Sequence, residues 1–128
     1  MSPMAAIITK NSFLVLISLS LIIGLVHCQC SLEKIGITQT DTGATIHNKP
    51  EWKVTIHNVC PCSVLHLKLA CSGFQTVEDI DPSVLSISNG ECLVNNGQPI
   101  YPSTTFSFTY AWDTSFPFTP LYSDVACS

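Results

Sequence analysis

Between residues 52 and 57 apolar and polar positions alternate one for one, with Trp52, Val54 and Ile56 set against Lys53, Thr55 and His57. The alternation returns as Leu65, Leu67, Leu69 and Cys71 against His66, Lys68 and Ala70, and as Phe106, Phe108 and Tyr110 against Ser107 and Thr109. A period of two puts one set of side chains on each face of a strand, so these segments predict β-strands with one buried and one wetted face. Ile35, Ile37 and Gln39 form a weaker first strand, Val84, Leu85 and Ile87 a short one, and residues 120–127 a last one. The breaks carry turn chemistry: Thr42-Gly43, Asn48-Lys49-Pro50, Asp81-Pro82, Asn89-Gly90 and Asn96-Gly97. Helical periodicity is absent after residue 30. Roughly six to eight short strands with regular turns predict an all-β fold, a small antiparallel β-sandwich, with a barrel as the alternative. The segment 58–63 is expected to join the second and third strands as a hairpin, which would let His57 and His66 face each other.

The N-terminal part follows a different pattern. After Lys10, residues 13–26 hold no charge and are largely apolar. That run is short for a membrane span and suits the core of a signal peptide. Residues 1–28 are therefore expected to be a cleaved signal, leaving 29–128 as one cysteine-rich domain in the extracellular space, the apoplast, with no membrane span after signal removal. Cleavage there removes one of seven cysteines and leaves six: Cys30, Cys60, Cys62, Cys71, Cys92 and Cys127. An even set in a short exported chain predicts a disulfide framework, and six cysteines leave 15 connectivities open. Cys60 and Cys62 flank a single residue, so they are expected to bond to different partners.

Charge narrows the function classes. The formal charge of −4 becomes −5 without Lys10, and arginine is absent. A chain with no planar bidentate phosphate donor and an acidic balance is not expected to bind nucleic acid. The chemistry-bearing residues do not assemble into a catalytic pattern. Of His47, His57 and His66, the last two could form a metal pair across the expected hairpin, but they are expected to be solvated imidazoles, because a metal site needs three or four ligands in fixed geometry. Glu78-Asp79-Ile80-Asp81 lacks the spacing of a calcium loop and is expected to be a charged turn. No Gly-x-Ser-x-Gly motif occurs, and every cysteine of the domain has a disulfide role. The chain is expected to be a non-enzyme with no cofactor and no metal. Trp112, Phe116, Phe118 and Tyr122 fall in a segment broken by Pro117 and Pro120. Aromatic residues there make a protein contact surface, a platform for a sugar ring, or a loop folded over one end of the core.

Several of these segments carry a resemblance. Ile37-Thr38-Gln39, the run 52–60, Leu69-Ala70-Cys71-Ser72-Gly73-Phe74, the run 92–100 and Phe106-Ser107-Phe108-Thr109-Tyr110-Ala111 resemble the plant TAPETUM DETERMINANT family of small secreted cysteine-rich proteins, from Cys30 to Cys127. With a single residue between Cys60 and Cys62 and no basic pair before Cys30, the chain looks like a short, divergent paralogue. The resemblance implies a secreted signalling ligand that binds the ectodomain of a leucine-rich-repeat receptor kinase in cell-fate specification of the anther and tapetum type. Candidate receptor contacts are then Asn95, Asn96, Gln98 and Pro99 in the segment 95–100, and Trp112, Phe116, Phe118 and Tyr122 in the segment 112–122. A second resemblance, to plant family-49 carbohydrate-binding modules, implies the alternative of an extracellular module recognising cell-wall glucan. In that case a glycan is the partner, and two or three coplanar rings are expected on one sheet face.

Overall fold

The computed structural model describes residues 30–127. The signal expected over residues 1–28 lies outside the described residues. Within them, seven strands form in chain order: β1 (Ile35–Ile46), β2 (Lys49–Asn58), β3 (Ser63–Ala70), β4 (Leu85–Ser88), β5 (Glu91–Val94), β6 (Thr105–Ala111) and β7 (Thr119–Ala126). Two short 3₁₀ turns, Leu32–Lys34 and Asn95–Gly97, complete the set. The strands make two antiparallel sheets, one ordered β1-β2-β6 and the other β4-β5-β3-β7. The all-β sandwich is therefore as expected.

The core lies between the sheets and is built by the alternating positions. Val54, Ile56, Phe108 and Tyr110 point inward from the first sheet, and Leu67, Leu69, Leu85, Cys92 and Val94 from the second. The register explains why they meet, because Val54 sits opposite Phe108 and Trp52 opposite Tyr110. Same-face neighbours across a strand pair thus bury aromatic against β-branched surface. Trp52 and Phe106 are half-buried at the margin of this core.

Two hairpins follow from local chemistry. His47 and Asn48 both take positive φ between the paired Ile46 and Lys49. Asn89 and Gly90 do the same between Ser88 and Glu91. Two-residue turns of this hand match strand twist and favour asparagine and glycine. The second of these hairpins creates β5, a strand not expected from the sequence.

The expected hairpin of β2 with β3 is not formed. β2 pairs with β1 and β6, while β3 pairs with β5 and β7. Each strand has a complete apolar face, and two such faces are buried best by opposing one another rather than lying side by side. The short link after Asn58 therefore carries the chain from one sheet to the other. His57 and His66 end on different sheets, so they do not face each other: His57 Nε2 contacts Thr38 Oγ1 at 3.3 Å, and His66 contacts Asp124.

The six cysteines pair as Cys30–Cys60, Cys62–Cys127 and Cys71–Cys92, with Cα separations of 5.7, 4.7 and 5.9 Å. Cys60 and Cys62 do take different partners. The first bridge fastens the segment before β1 to the end of β2. The second fastens the start of β3 to the end of β7, and the third ties β3 to β5 inside the core.

Candidate functional site

The second sheet turns one face to solvent, and its centre is a break in β3. Val64 and Leu65 are adjacent apolar residues, so strict alternation cannot bury both. The strand resolves this at His66, which takes φ of 51° where the pairing with β7 slips between Leu65 and Lys68. An extra residue in one strand is a β-bulge, which re-aims the side chain it carries. Val64 is buried before the bulge, and Leu67 and Leu69 after it. Leu65, expected on the buried face, is only half-buried as a result.

The bulge presents the His66 imidazole to two neighbours, Asp124 and the turn Asn95–Gly97. Its Nδ1 lies 2.8 Å from Asp124 Oδ2 on β7. The Tyr122 hydroxyl donates to the other oxygen, Asp124 Oδ1, at 2.7 Å. The bond from Tyr122 and then the contact with His66 hold the Asp124 carboxyl below its usual range. The same bond to Asp124 pushes the Tyr122 phenol up. Lys68 Nζ lies 5.9 Å from the Tyr122 ring centre and 3.4 Å from Glu91 Oε2 on β5, a cation–π and ion-pair arrangement of exposed groups. A shallow cleft of about 230 Å³ beside them is lined by Lys68, Ser86, Ser88, Glu91 and Leu93.

The other neighbour of His66 is the turn Asn95–Gly97. Asn95, Asn96 and Gly97 all take positive φ, a run that asparagine and glycine tolerate best. A Cβ on Gly97 would stand 3.0 Å from His66 Cδ2, so glycine is needed there both for backbone and for space. Gly97→Ala is expected to destabilise the fold by about 1–2 kcal/mol, read from urea unfolding, and to displace the His66 ring from Asp124.

The structure therefore brings together some of the expected contact residues and separates others. Asn96 and Gln98 are exposed, and Asn95 and Pro99 half-buried, on a turn adjoining His66. Tyr122 joins the same network through Asp124 and is 48% exposed. Trp112 lies elsewhere, half-buried beneath Lys49, whose Nζ is 5.2 Å from the ring centre and 2.7 Å from Asp113 Oδ1. Phe116 packs on the core. Phe118 is buried within it, against Phe74, Phe108 and Tyr110, so it is not an exposed contact. Its ring alternates inward at the start of β7, where Pro120 falls at an edge-strand position that tolerates a missing N–H. The aromatic loop is thus largely folded back over the core rather than laid open as a flat platform. His66, Lys68, Glu91 and Asp124 were not anticipated as a group. The signal available was the Val64-Leu65 pair, which breaks the alternation at the point where His66 is re-aimed.

A second charged cluster lies on the outer side of the first sheet. Asp81 accepts from the Ser83 N–H and hydroxyl, both at 2.8 Å, and is held below its usual range by them. It therefore shapes its own turn. Glu78 reaches the sheet, where Thr109 donates to its Oε2 at 2.5 Å. Its other oxygen is buried without a donor among the described residues. The neighbouring acid is Glu51 on β2, which accepts from the Thr42 hydroxyl at 2.8 Å. Burial first, then Glu51, pushes the Glu78 carboxyl up, while bonds from Glu78 and Thr42 lower Glu51.

The sign of the pH dependence follows. Glu78 has a raised folded value, so its contribution is present at low pH and lost as pH rises through that value. Glu51 has a lowered value, so its contribution is lost as pH falls through it. The attachment is tightest between the two. The loop holding Glu78 is also tied by Thr76 and Val77 to Ala111. Above the Glu78 value, amide exchange at Val77 and Ala111, corrected for its intrinsic pH dependence, is expected to accelerate. Glu78→Gln is expected to flatten this response.

Residues 31–128 match the family described as "Tapetum determinant 1, C-terminal". The chain is 33% identical over 91 residues to TPD1 protein homolog 1 of Arabidopsis thaliana, covering 69% of this chain and 51% of the relative. It is 32% identical over 100 residues to TPD1 protein homolog 1B of Oryza sativa subsp. japonica, covering 77% and 58%. An uncharacterized protein of Arabidopsis thaliana is 39% identical over 82 residues, covering 60% and 63%. The chain spans 51–63% of the length of these curated relatives. No solved structure matches it. With the family match running through the whole of both sheets, the chain belongs to the tapetum determinant 1 family.

Proposed function

We propose that this protein is a secreted plant developmental signal whose domain, freed of a signal over residues 1–28, binds the ectodomain of a leucine-rich-repeat receptor kinase. In this reading it specifies cell fate in the manner the family name describes, acts in the apoplast, and works by surface complementarity without catalysis. The observation that carries the choice of surface is the exposed His66–Asp124–Tyr122 network beside the turn Asn95–Gly97. It combines an aromatic ring, both signs of charge and asparagine side chains on a sheet stapled by disulfides. Such a patch resembles a hot spot, in which a rigid aromatic anchor is ringed by polar groups and loses little entropy on binding.

The test is binding of the oxidised, secreted chain to a panel of receptor-kinase ectodomains, with cell-wall glucans alongside. Saturable binding to one ectodomain is expected, weakened roughly thirtyfold by Tyr122→Ala, a hot-spot loss of about 2 kcal/mol. Lys53→Ala, on the exposed face of the other sheet, is expected to leave it unchanged. Binding to glucan alone would replace this reading with the carbohydrate-binding one. Loss of ectodomain binding in Lys53→Ala but not Tyr122→Ala would move the surface to the other sheet.

A further inference from the structure

Two of the three bridges meet at one corner. The sulfurs of Cys30, Cys60 and Cys62 lie within 4.8 Å of one another, although Cys62 is bonded to Cys127 and not to either neighbour. The bridges differ in access. Cys127 is exposed and Cys30 is half-buried, whereas Cys60 is 2% exposed and Cys62 8% exposed. The backbone N–H of Cys62 donates to Cys60 Sγ at 3.3 Å.

We propose that this corner is a thiol–disulfide exchange site, in which opening of the Cys62–Cys127 bridge passes the Cys30 sulfur from Cys60 to Cys62. A dithiol reductant supplies the electrons. One of its thiolates attacks the sulfur of the exposed residue Cys127, the Cys62–Cys127 bond breaks, and Cys62 leaves as a thiolate. The second thiol of the reductant resolves the mixed disulfide, releasing Cys127 as a thiolate and leaving the reductant oxidised by two electrons. The Cys62 thiolate then attacks Cys30. A Cys30–Cys62 bond forms, the Cys30–Cys60 bond breaks, and its electron pair leaves on Cys60, which takes a proton from solvent. This last step is an isomerisation and needs no further electrons.

Two features direct the attack to Cys30 rather than Cys60. Exchange is faster when the leaving thiolate is stabilised, and the Cys62 N–H already donates to Cys60 Sγ. A Cys60–Cys62 bridge would also close a small ring around Pro61, whose φ is fixed. The product differs from the starting fold in two places: the segment before β1 is fastened to the start of β3 instead of the end of β2, and the end of β7 is no longer fastened to the start of β3. That strand end carries Tyr122 and Asp124, so a covalent event at the corner reaches the surface network. This consequence for binding rests on the receptor reading, whereas the exchange itself does not.

The experiment is stepwise reduction of the full secreted chain with dithiothreitol, acid quenching, alkylation and fragment-ion mapping, which cleaves between Cys60 and Pro61 and so tells Cys60 from Cys62. Among molecules with one bridge lost, the expected majority carries label on Cys60 and Cys127 with Cys30 joined to Cys62. Label on Cys62 and Cys127 with Cys30–Cys60 intact would overturn the proposal, as would first opening of Cys71–Cys92. A second measurement uses the Cys60→Ser/Cys127→Ser double variant, which leaves Cys30 and Cys62 as the only partners at this corner. It is expected to be secreted with those two bonded. Secretion with both as free thiols would also overturn the proposal. Absence of ectodomain binding by the oxidised chain, with the exchange map as expected, would count against the receptor reading alone.

Discussion

Tyr110→Ala is expected to lower the stability of the domain by about 4 kcal/mol, the range for deleting a large buried aromatic side chain. The ring is fully buried. It meets Phe74 edge-on at 5.1 Å and Phe118 at 5.8 Å between ring centres, so alanine leaves a cavity shared by both sheets and the aromatic loop. The hydroxyl adds a second role. It donates to Gln39 Oε1 at 2.5 Å, Gln39 Nε2 donates to the Phe116 carbonyl at 2.5 Å, and the Phe116 N–H donates back to the hydroxyl at 2.7 Å. This closed ring of bonds joins β1, β6 and the loop before β7. Burial pushes the phenol pKa up, which keeps the proton in place as the donor. Tyr110→Phe separates the two roles. It keeps the packing but leaves Gln39 Oε1 and the Phe116 N–H without their partner, at roughly 1–3 kcal/mol. Denaturant unfolding of the two variants measures both parts. A phenylalanine variant as unstable as the alanine one would mean that the hydroxyl ring, and not the packing, dominates.

Asn58→Ala is expected to lower stability by about 2–4 kcal/mol, because the Cys60 N–H and the Cys62 carbonyl are orphaned at roughly 1–3 kcal/mol each while the Ile100 carbonyl keeps the Val64 N–H. Among the described residues Asn58 is the buried polar side chain, 2% exposed. Its Nδ2 donates to the carbonyls of Cys62 at 2.9 Å and Ile100 at 2.8 Å, and its Oδ1 accepts from the Cys60 N–H at 2.9 Å. Its backbone bonds Thr104 and Ser103 as well. A single side chain thereby satisfies the backbone where the chain crosses between sheets, a place where no strand ladder can do so. Asn58→Asp gives the sharper comparison. The carboxylate keeps the acceptor for Cys60 but sets a negative oxygen against two carbonyls, so it is expected to be less stable at neutral pH than at acid pH. Thermal unfolding at two pH values tests this. Equal stability at both would show that water replaces the lost donors.

The strands whose alternation is unbroken were the legible ones. β2 and β6 are paired throughout, and each contributes a complete inward row, so hydropathy alone located them. β5 was missed because four residues hold too few alternations to stand out, and its evidence lay in the Asn89-Gly90 turn. The distribution of strands between sheets was not legible. Nothing in residues 58–63 separates a hairpin from a crossover until Asn58 is seen to serve both Cys62 and Ile100. The surface network was hidden for a related reason. His66 and Asp124 are 58 residues apart, and only a bulge whose position depends on tertiary packing joins them. The disulfide count was readable from parity, while the pairing required the fold. Phe118 misled for a simple physical reason: a proline-flanked aromatic looks exposed, yet the core had room for its ring against Phe74 and Phe108.

The pairing of Cys30 with Cys60 and of Cys127 with Cys62 also settles where the two ends of the described domain lie. Because Cys60 and Cys62 are separated only by Pro61, residues 30 and 127 emerge side by side at one corner. Domains with neighbouring ends are well suited to circular permutation and to insertion into a host loop. A permutant that joins residue 127 to residue 30 through a short glycine-serine linker, and reopens the chain beside the exposed Asn89 of the β4–β5 turn, would keep both sheets and change only the path between them. Such a molecule would also move any affinity tag or surface tether from the bridged corner to the tip of the β4–β5 hairpin, giving two attachment geometries for the same folded domain.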